Sequence, residues 1–509
     1  MPRLVTATAL AALAGLTVPA HAGPPRELGP KPEHRLVGES AQPTPLGLTA
    51  KVRARASLLA VGDVPTDRDG TTWHLPATLD TQLRVRADYK AAINADKTHQ
   101  LALAYEHDLF SGVVAGGADF DGIEAPYTAE ADEHQLRVLS VRLSLGEAFM
   151  VSAGAMTSHW GLGLLANDGA HGYAPGSALF SDPRGGDRVL RAMVGTGFSK
   201  DLPLFLFVAA DKVLGDDVLI LDDEAHQFVA GAMLGRPSDA HQVGLYGVVR
   251  AQEATDGDKT DVGVIDVYAK TSHELGDATF RAELEAALIF GSTDLGPTPD
   301  HPTHDVLQFG AAARLALDFC AGGLALDMLY ASGDAAFDDD TQSGFRADKN
   351  FDLGLLMNDM VLAARTSRTP IRAADPELVG VPSEDLDRLP TRGAATNTLS
   401  FFPRGWYRPV DGLEVYGGLL VALSASDESD AFNARIAGGE PTNALGGKSS
   451  VYLATEIDLG VRAATLLWGT RLELGLEGAI LFPGSGLSGP DGLGEDPILG
   501  GRAILTYEL

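Results

Sequence analysis

A single cysteine, Cys320, stands in 509 residues, so the chain can build neither an internal disulfide framework nor a cysteine-based metal site. Positive charge is scarce as well: 39 Lys and Arg against 69 Asp and Glu give a formal net charge of −30, which excludes a phosphate-binding face and, with it, nucleic acid as a partner. Long apolar runs are missing. Past the N-terminal segment nothing approaches the roughly 18 apolar residues of a membrane-spanning helix, the longest run being residues 417 to 423. Catalytic signatures are absent too, with no G-x-S-x-G elbow and no twelve-residue EF-hand spacing. Glycine is what the chain has in excess, 59 residues without a collagen period, and frequent glycine punctuates many turns.

The first 22 residues have the layout of an export signal: Arg3, an apolar stretch over residues 5 to 18, and a small-x-small site at Ala20-His21-Ala22. Residues 23–47 carry six prolines and read as a flexible arm. Export without a helical anchor leaves two classes, a soluble exported protein or a barrel in an outer membrane.

Periodicity separates them. Leu83, Val85, Ala87 and Tyr89 alternate with Arg84, Arg86, Asp88 and Lys90, a period of two. Phe280, Ala282, Leu284, Ala286, Leu288 and Phe290 oppose Arg281, Glu283 and Glu285; Leu307 to Phe319 form another stripe opposite Arg314 and Asp318. Leu472, Leu474 and Leu476 oppose Arg471, Glu473 and Glu477. Strands of about 10 to 14 residues exceed the usual 5 or 6 of a sandwich and suit a tilted bilayer crossing. About 16 to 19 such segments recur, with 352–365 and 395–403 the least regular. Short connectors such as 274–277 and 321–323 alternate with long polar ones, including 158–186, 333–350 and 366–394. The expectation is all-β: one antiparallel transmembrane barrel over residues 48–509, of about 18 strands with 16 as the alternative, and long acidic loops on one rim.

Three stretches carry a resemblance: residues 153–169 (AGAMTSHWGLGLLANDG), Tyr330 to Asp334 followed by Phe345, and Glu456 to Gly460 followed by residues 481–484. They resemble Gram-negative outer-membrane porins, especially the alginate-export-like group and related barrels. Ala155 stands where that group usually has Arg, so no constriction role carries over there. The resemblance implies outer-membrane lipid, lipopolysaccharide and the barrel assembly machinery as partners, and a Trp-Gly-x-Gly turn leading into a loop folded within the lumen. Residues 158–186 are the candidate constriction, with His159, Trp160, Gly161, Gly163, Asn167, Asp168, Asp182, Arg184, Asp187 and Arg188 its candidate residues.

Alternation places Arg84, Arg86, Arg281, Glu283, Glu285, Arg314, Asp318, Glu456, Asp458, Arg471, Glu473 and Glu477 toward the lumen. A water-filled lumen with both signs of charge predicts a porin for small polar or charged solutes, not an enzyme. Ser158 and His159 are neighbours on a strand and point to opposite faces, so they are not read as a catalytic pair; His159 and Trp160 are read as pinning a loop at the strand end. Asp338, Asp339 and Asp340 could offer oxygens to calcium, but solvated loop acids are the favoured reading. No other cofactor is expected. Two further readings stay open: a plugged barrel with an adhesin-like or surface-assembly role, and a secreted β-rich hydrolase or lectin.

Overall fold

The computed structural model describes residues 47–96, 98–118, 120, 122, 133–146, 148–169, 180, 185–197, 202–220, 222–298, 300–335, 339–373 and 385–509. The export signal, nearly all of the 23–47 arm, Asp182, Arg184 and Asp338 lie outside these. The alternating segments are strands: β1 (Leu48–Pro65), β2 (Thr72–Ala92), β3 (His99–Ala115), β4 (Glu133–Leu145), β5 (Phe149–Thr157), β6 (Arg188–Gly195) and β7 (Leu204–Gly215). There follow β8 (Glu224–Leu234), β9 (His241–Glu253), β10 (Lys259–Leu275), β11 (Ala278–Thr293), β12 (His304–Phe319), β13 (Gly322–Ala331) and the two-residue β14 (Thr341–Gln342). The last five are β15 (Thr398–Val410), β16 (Leu413–Leu423), β17 (Tyr452–Leu467), β18 (Thr470–Pro483) and β19 (Ile498–Glu508).

Each wall strand pairs antiparallel with the next, and β19 returns to β1 with Arg53 opposite Glu508 and Val61 opposite Gly500. The barrel is closed, so no edge is left to satisfy inside a bilayer. β14 only pairs in parallel with β12 from within a loop, which leaves 18 strands in the wall. The seam runs to the last residue, where Val52 N donates to Leu509 O at 3.0 Å and Leu509 N to Val52 O at 2.9 Å.

The apolar stripes face out. Leu284, Leu288, Phe290, Leu307 and Phe309 are all exposed, and Phe228 is 71% exposed. A soluble protein does not display so continuous an apolar belt, whereas a barrel wall in hydrocarbon requires one. Arg84, Glu285, Glu456 and Glu477 lie buried on the opposite face. Connections on one rim are tight, for example the two residues between Leu275 and Ala278, between Phe319 and Gly322 and between Leu467 and Thr470.

One expected strand is not a strand. Residues 352–365 run into a helix, with a π-turn over Met357–Leu362 continuing as α1 (Ala363–Ala373). Its buried apolar side chains pack inside the barrel, so no lipid face selects the period of two. The two expected loops 333–350 and 366–394 thus belong to one connection between β13 and β15. Among the described residues no helix is long and apolar enough to cross a membrane.

Candidate functional site

Two connections fold inward. The first leaves β5, where Ser158 N donates to Asp187 O at 3.0 Å and extends the hairpin by one rung. Trp160 then lies against the distant wall: its indole stacks on Tyr246 of β9 (5.0 Å between ring centres, 23° between planes) and Nε1 donates to Asp266 Oδ1 of β10 at 2.9 Å. Leu162 N and Leu164 N both donate to the Glu285 carboxylate of β11, the latter at 3.2 Å. The stem is gripped by Arg137 of β4, which donates to the carbonyls of Asp168 and Gly185 and pairs with Glu106 at 2.8 Å.

The second connection carries the helix across to β17, where Glu456 accepts from Leu355 N (2.7 Å), Leu356 N (2.8 Å) and Met357 N (2.9 Å). A carboxylate at a helix start meets the unpaired N–H groups and the positive end of the dipole. The helix continues to β1, where Arg365 Nε donates to Pro65 O at 3.1 Å, and to the β1–β2 turn through Arg372 and Asp69 at 3.1 Å. The two connections touch: Asp348 N donates to Leu164 O at 2.8 Å. Leu164, Leu353, Leu355 and Leu356 share one buried apolar cluster. Beside it lies a cavity of about 520 Å³ lined by Arg346, Arg365 and Arg388 on the loop side and by Val248, Val262 and Ile289 on the wall.

No family model and no curated protein matches the chain. Solved structures do. Pseudomonas aeruginosa OccK5 (OpdH) is 10% identical, with 90% of this chain and 98% of that one covered at a TM-score of 0.50. OccK2 (OpdF) from the same organism is 14% identical over 91% and 97%, also at 0.50. OpdK, solved with vanillate, is 14% identical over 90% and 98% at 0.50. The chain has the barrel fold of these Pseudomonas aeruginosa proteins. At such identities the likeness shows architecture, and the interior of this barrel must be read from its own residues.

The expected lumen charges face inward and are mostly paired between neighbouring strands. Arg84 meets Asp108 at 2.5 and 2.8 Å; Arg86 meets Asp88 at 2.7 Å and Glu106 at 3.0 Å. Arg281 pairs with Asp318 at 2.6 Å, and Arg314 and Arg404 share Asp327 at 2.6 Å each. Arg471 pairs with Glu473 at 2.8 Å, while Glu477 holds Arg502 at 2.6 Å and Arg462 at 3.2 Å. Glu283 accepts from Tyr268 Oη at 2.9 Å. Among the described residues Glu285 and Glu456 pair with no cation, being occupied by loop N–H groups; Asp458 shares the lumen face with Glu456 and is fully buried.

Of the loop residues, Trp160, Asn167 and Asp168 are buried within it. Asn167 folds back, Nδ2 donating to Gly163 O at 3.2 Å. Gly161 and Gly163 have φ of 58° and 83°. His159 Nε2 lies 3.2 Å from Gly161 O, and Ser158 Oγ accepts from Arg191 at 3.3 Å. Ser and His thus look in different directions. Arg188 opens β6 and lines the cavity. Asp339 and Asp340 turn onto Thr341, accepting at 2.9 Å each, and among the described residues no group of His, Cys, Asp or Glu is spaced to hold a metal.

Alternation missed Arg137. It sits where β4 slips against β3, between the pairs Leu136–His107 and Val138–Glu106, and a bulged residue drops out of the two-residue phase.

The acids at the loop junction lead us to expect a response to pH. Burial, then the carboxylates of Asp348, Asp216 and Asp217, pushes Asp187 well above the usual range; burial and Asp217 do the same to Asp348. Arg250, at 2.5 Å from Asp216, and Lys349, at 3.1 Å from Asp217, hold those two neighbours. An acid whose pKa is raised in the closed state favours closure while protonated, and that contribution fades as pH climbs from about 4 through the raised value. Current fluctuations across a bilayer are therefore expected to grow between acid and neutral pH. Asp187→Asn with Asp348→Asn should flatten the dependence; an unchanged profile in that double variant would refute this role.

Proposed function

We propose that the protein is an outer-membrane channel for small polar or charged solutes, delivered by a cleavable signal over residues 1–22, with residues 158–186 forming the constriction. The observation that carries this reading is the closed 18-strand barrel whose charged interior is narrowed by two in-folded connections beside a cavity of about 520 Å³. Lipopolysaccharide would meet the acidic rim, and the assembly machinery the C-terminal strand.

The cavity also indicates a class of permeant. Arg365 is 3% exposed, and its Nη2 has no hydrogen-bond partner among the described residues. Burial lowers its pKa to about 10, which still leaves it charged at neutral pH. Glu428 in the same cavity acts on it as one counter-charge, and Nη2 remains a donor for an anionic permeant. Val248, Val262 and Ile289 offer an apolar surface opposite. A small organic anion with a flat or aliphatic body fits both, as vanillate does in chemistry.

Reconstitution in a planar bilayer tests the proposal. Discrete steps with partial block by substituted benzoates are expected, and Arg365→Gln should weaken the block about tenfold, the scale of one charge-assisted contact. A barrel that gives no steps sinks the channel reading; block unaffected by Arg365→Gln sinks the assignment of the anion site.

A further inference from the structure

The two in-folded connections contain the same short sequence. Leu162-Gly-Leu-Leu-Ala-Asn-Asp168 in the first and Leu353-Gly-Leu-Leu-Met-Asn-Asp359 in the second agree at six of seven positions. Nothing in the barrel's topology requires this. The copies belong to different connections, between β5 and β6 and between β13 and β15, and they end against different walls.

Their geometry repeats as well. The aligned glycines Gly163 and Gly354 have φ of 83° and 86°, a left-handed conformation open to glycine at little cost. The residue after each glycine donates its N–H to a glutamate on the lumen wall: Leu164 N to Glu285 Oε1 at 3.2 Å, Leu355 N to Glu456 Oε1 at 2.7 Å. Neighbouring N–H groups fill the other carboxylate oxygen, Leu162 N at Glu285 Oε2 and Met357 N at Glu456 Oε2. The aligned asparagines both fold back on their own segment, Asn167 Nδ2 onto Gly163 O and Asn358 Nδ2 onto Asp352 Oδ1.

We propose that these heptads are two copies of one loop-docking element, and that Glu285 and Glu456 are its receptors on the barrel wall, fixing how far each connection narrows the bore. The chemistry is that of an anion bound by successive backbone N–H groups, with the anion on the wall and the N–H groups on the loop. Leucines at the other positions close an apolar lid over the contact, keeping water from competing for the N–H groups. Glu285 and Glu456 are positioning residues, acting on the permeant through the loops they hold.

This rests on the channel reading, and the test separates the two. Glu285→Gln and Glu456→Gln keep side-chain size but present an amide with one acceptor in place of a carboxylate with two. Each is expected to raise single-channel conductance about two-fold, and the pair together more than either alone, because the bore widens at two places. Heat-modifiable gel mobility, unchanged from the parent, shows that the barrel has formed. Equal conductance for all four proteins overturns the proposal. A parent without conductance steps refutes the channel reading instead, and docking is then read by limited proteolysis of the detergent-solubilised barrels. New cleavage between residues 158 and 187 in Glu285→Gln, and between 332 and 397 in Glu456→Gln, supports the proposal; a parental pattern in both overturns it. Should Glu285→Gln fail to fold, Gly161→Ala disturbs the same contact from the loop side, since its Cβ would stand 2.5 Å from Glu285 Oε2.

Discussion

Replacing residues 159–186 by Asn-Gly is expected to raise single-channel conductance several-fold, on the scale set by opening a narrowed lumen, while the barrel keeps its heat-modifiable mobility. The ends are already placed for a two-residue turn. Thr157 faces Arg188 across the β5–β6 ladder, and Ser158 N meets Asp187 O at 3.0 Å, so an Asn-Gly type I′ turn closes the hairpin with the twist the strands already have. What disappears is everything the loop places in the lumen: Trp160 on Tyr246, Leu164 in the central apolar cluster, and the contact with Asp348. The wall itself loses little, because Arg137 still has Glu106 and Asp266 turns from the indole to water. A shortened protein with parental conductance would show that the permeant passes elsewhere, and the constriction would then have to be sought along the helix that starts on Glu456.

How much of this was written in the chain follows from which forces act on each part. The wall was legible because two solvents act on it: hydrocarbon outside and water or charge inside impose a strict period of two, and Phe280 to Phe290 or Leu307 to Phe319 obey it over a whole crossing. Even the poorly patterned 395–403 runs into a true strand, β15, whose buried face carries Phe402 and Trp406, with Phe180 of the first in-folded connection edge-on to Phe402 at 6.2 Å. Inside the barrel that rule no longer operates. Residues 352–365 are apolar on several faces and imitate a strand by composition, yet they are wrapped by protein on all sides and become helix. Arg137 escaped because a bulge breaks phase, and the partners of Glu285 and Glu456 escaped because backbone N–H groups leave no trace in side-chain identity. The one signal that did exist for them was the repeated heptad, visible in the sequence but without meaning until both copies are seen on glutamates. The acidic excess also divides: many loop acids face solvent, but Asp216 holds Arg250 of β9 and Asp217 takes Lys349 of the second in-folded connection.

The largest stability loss is expected from Glu477→Ala. Glu477 lies on β18 one strand from the seam, fully buried, and four contacts converge on it: Arg502 Nε at 2.9 Å and Nη2 at 2.6 Å, Arg462 Nη2 at 3.2 Å and the Tyr416 hydroxyl at 2.6 Å. Removing the carboxylate takes from two guanidinium groups, each 4% exposed, the acid they share. Breaking a buried pair in this way costs about 3–5 kcal/mol, well above the effect of a surface pair. Arg462 keeps a weaker partner in Glu473 at 3.5 Å, so most of the loss falls on Arg502. Arg502 belongs to β19, which closes the barrel on β1, and it also donates to Phe180 O in the first in-folded connection. The charge left behind therefore strains both closure and loop docking. Urea titration of the folded fraction, read by gel mobility without boiling, should show a much lower midpoint for Glu477→Ala. Glu477→Ala with Arg502→Met should recover part of it, because the stranded charge is gone. A single variant within about 1 kcal/mol of the parent would mean that water reaches Arg502 freely, and that the lumen at this level is wet and open rather than closed around the ion pair.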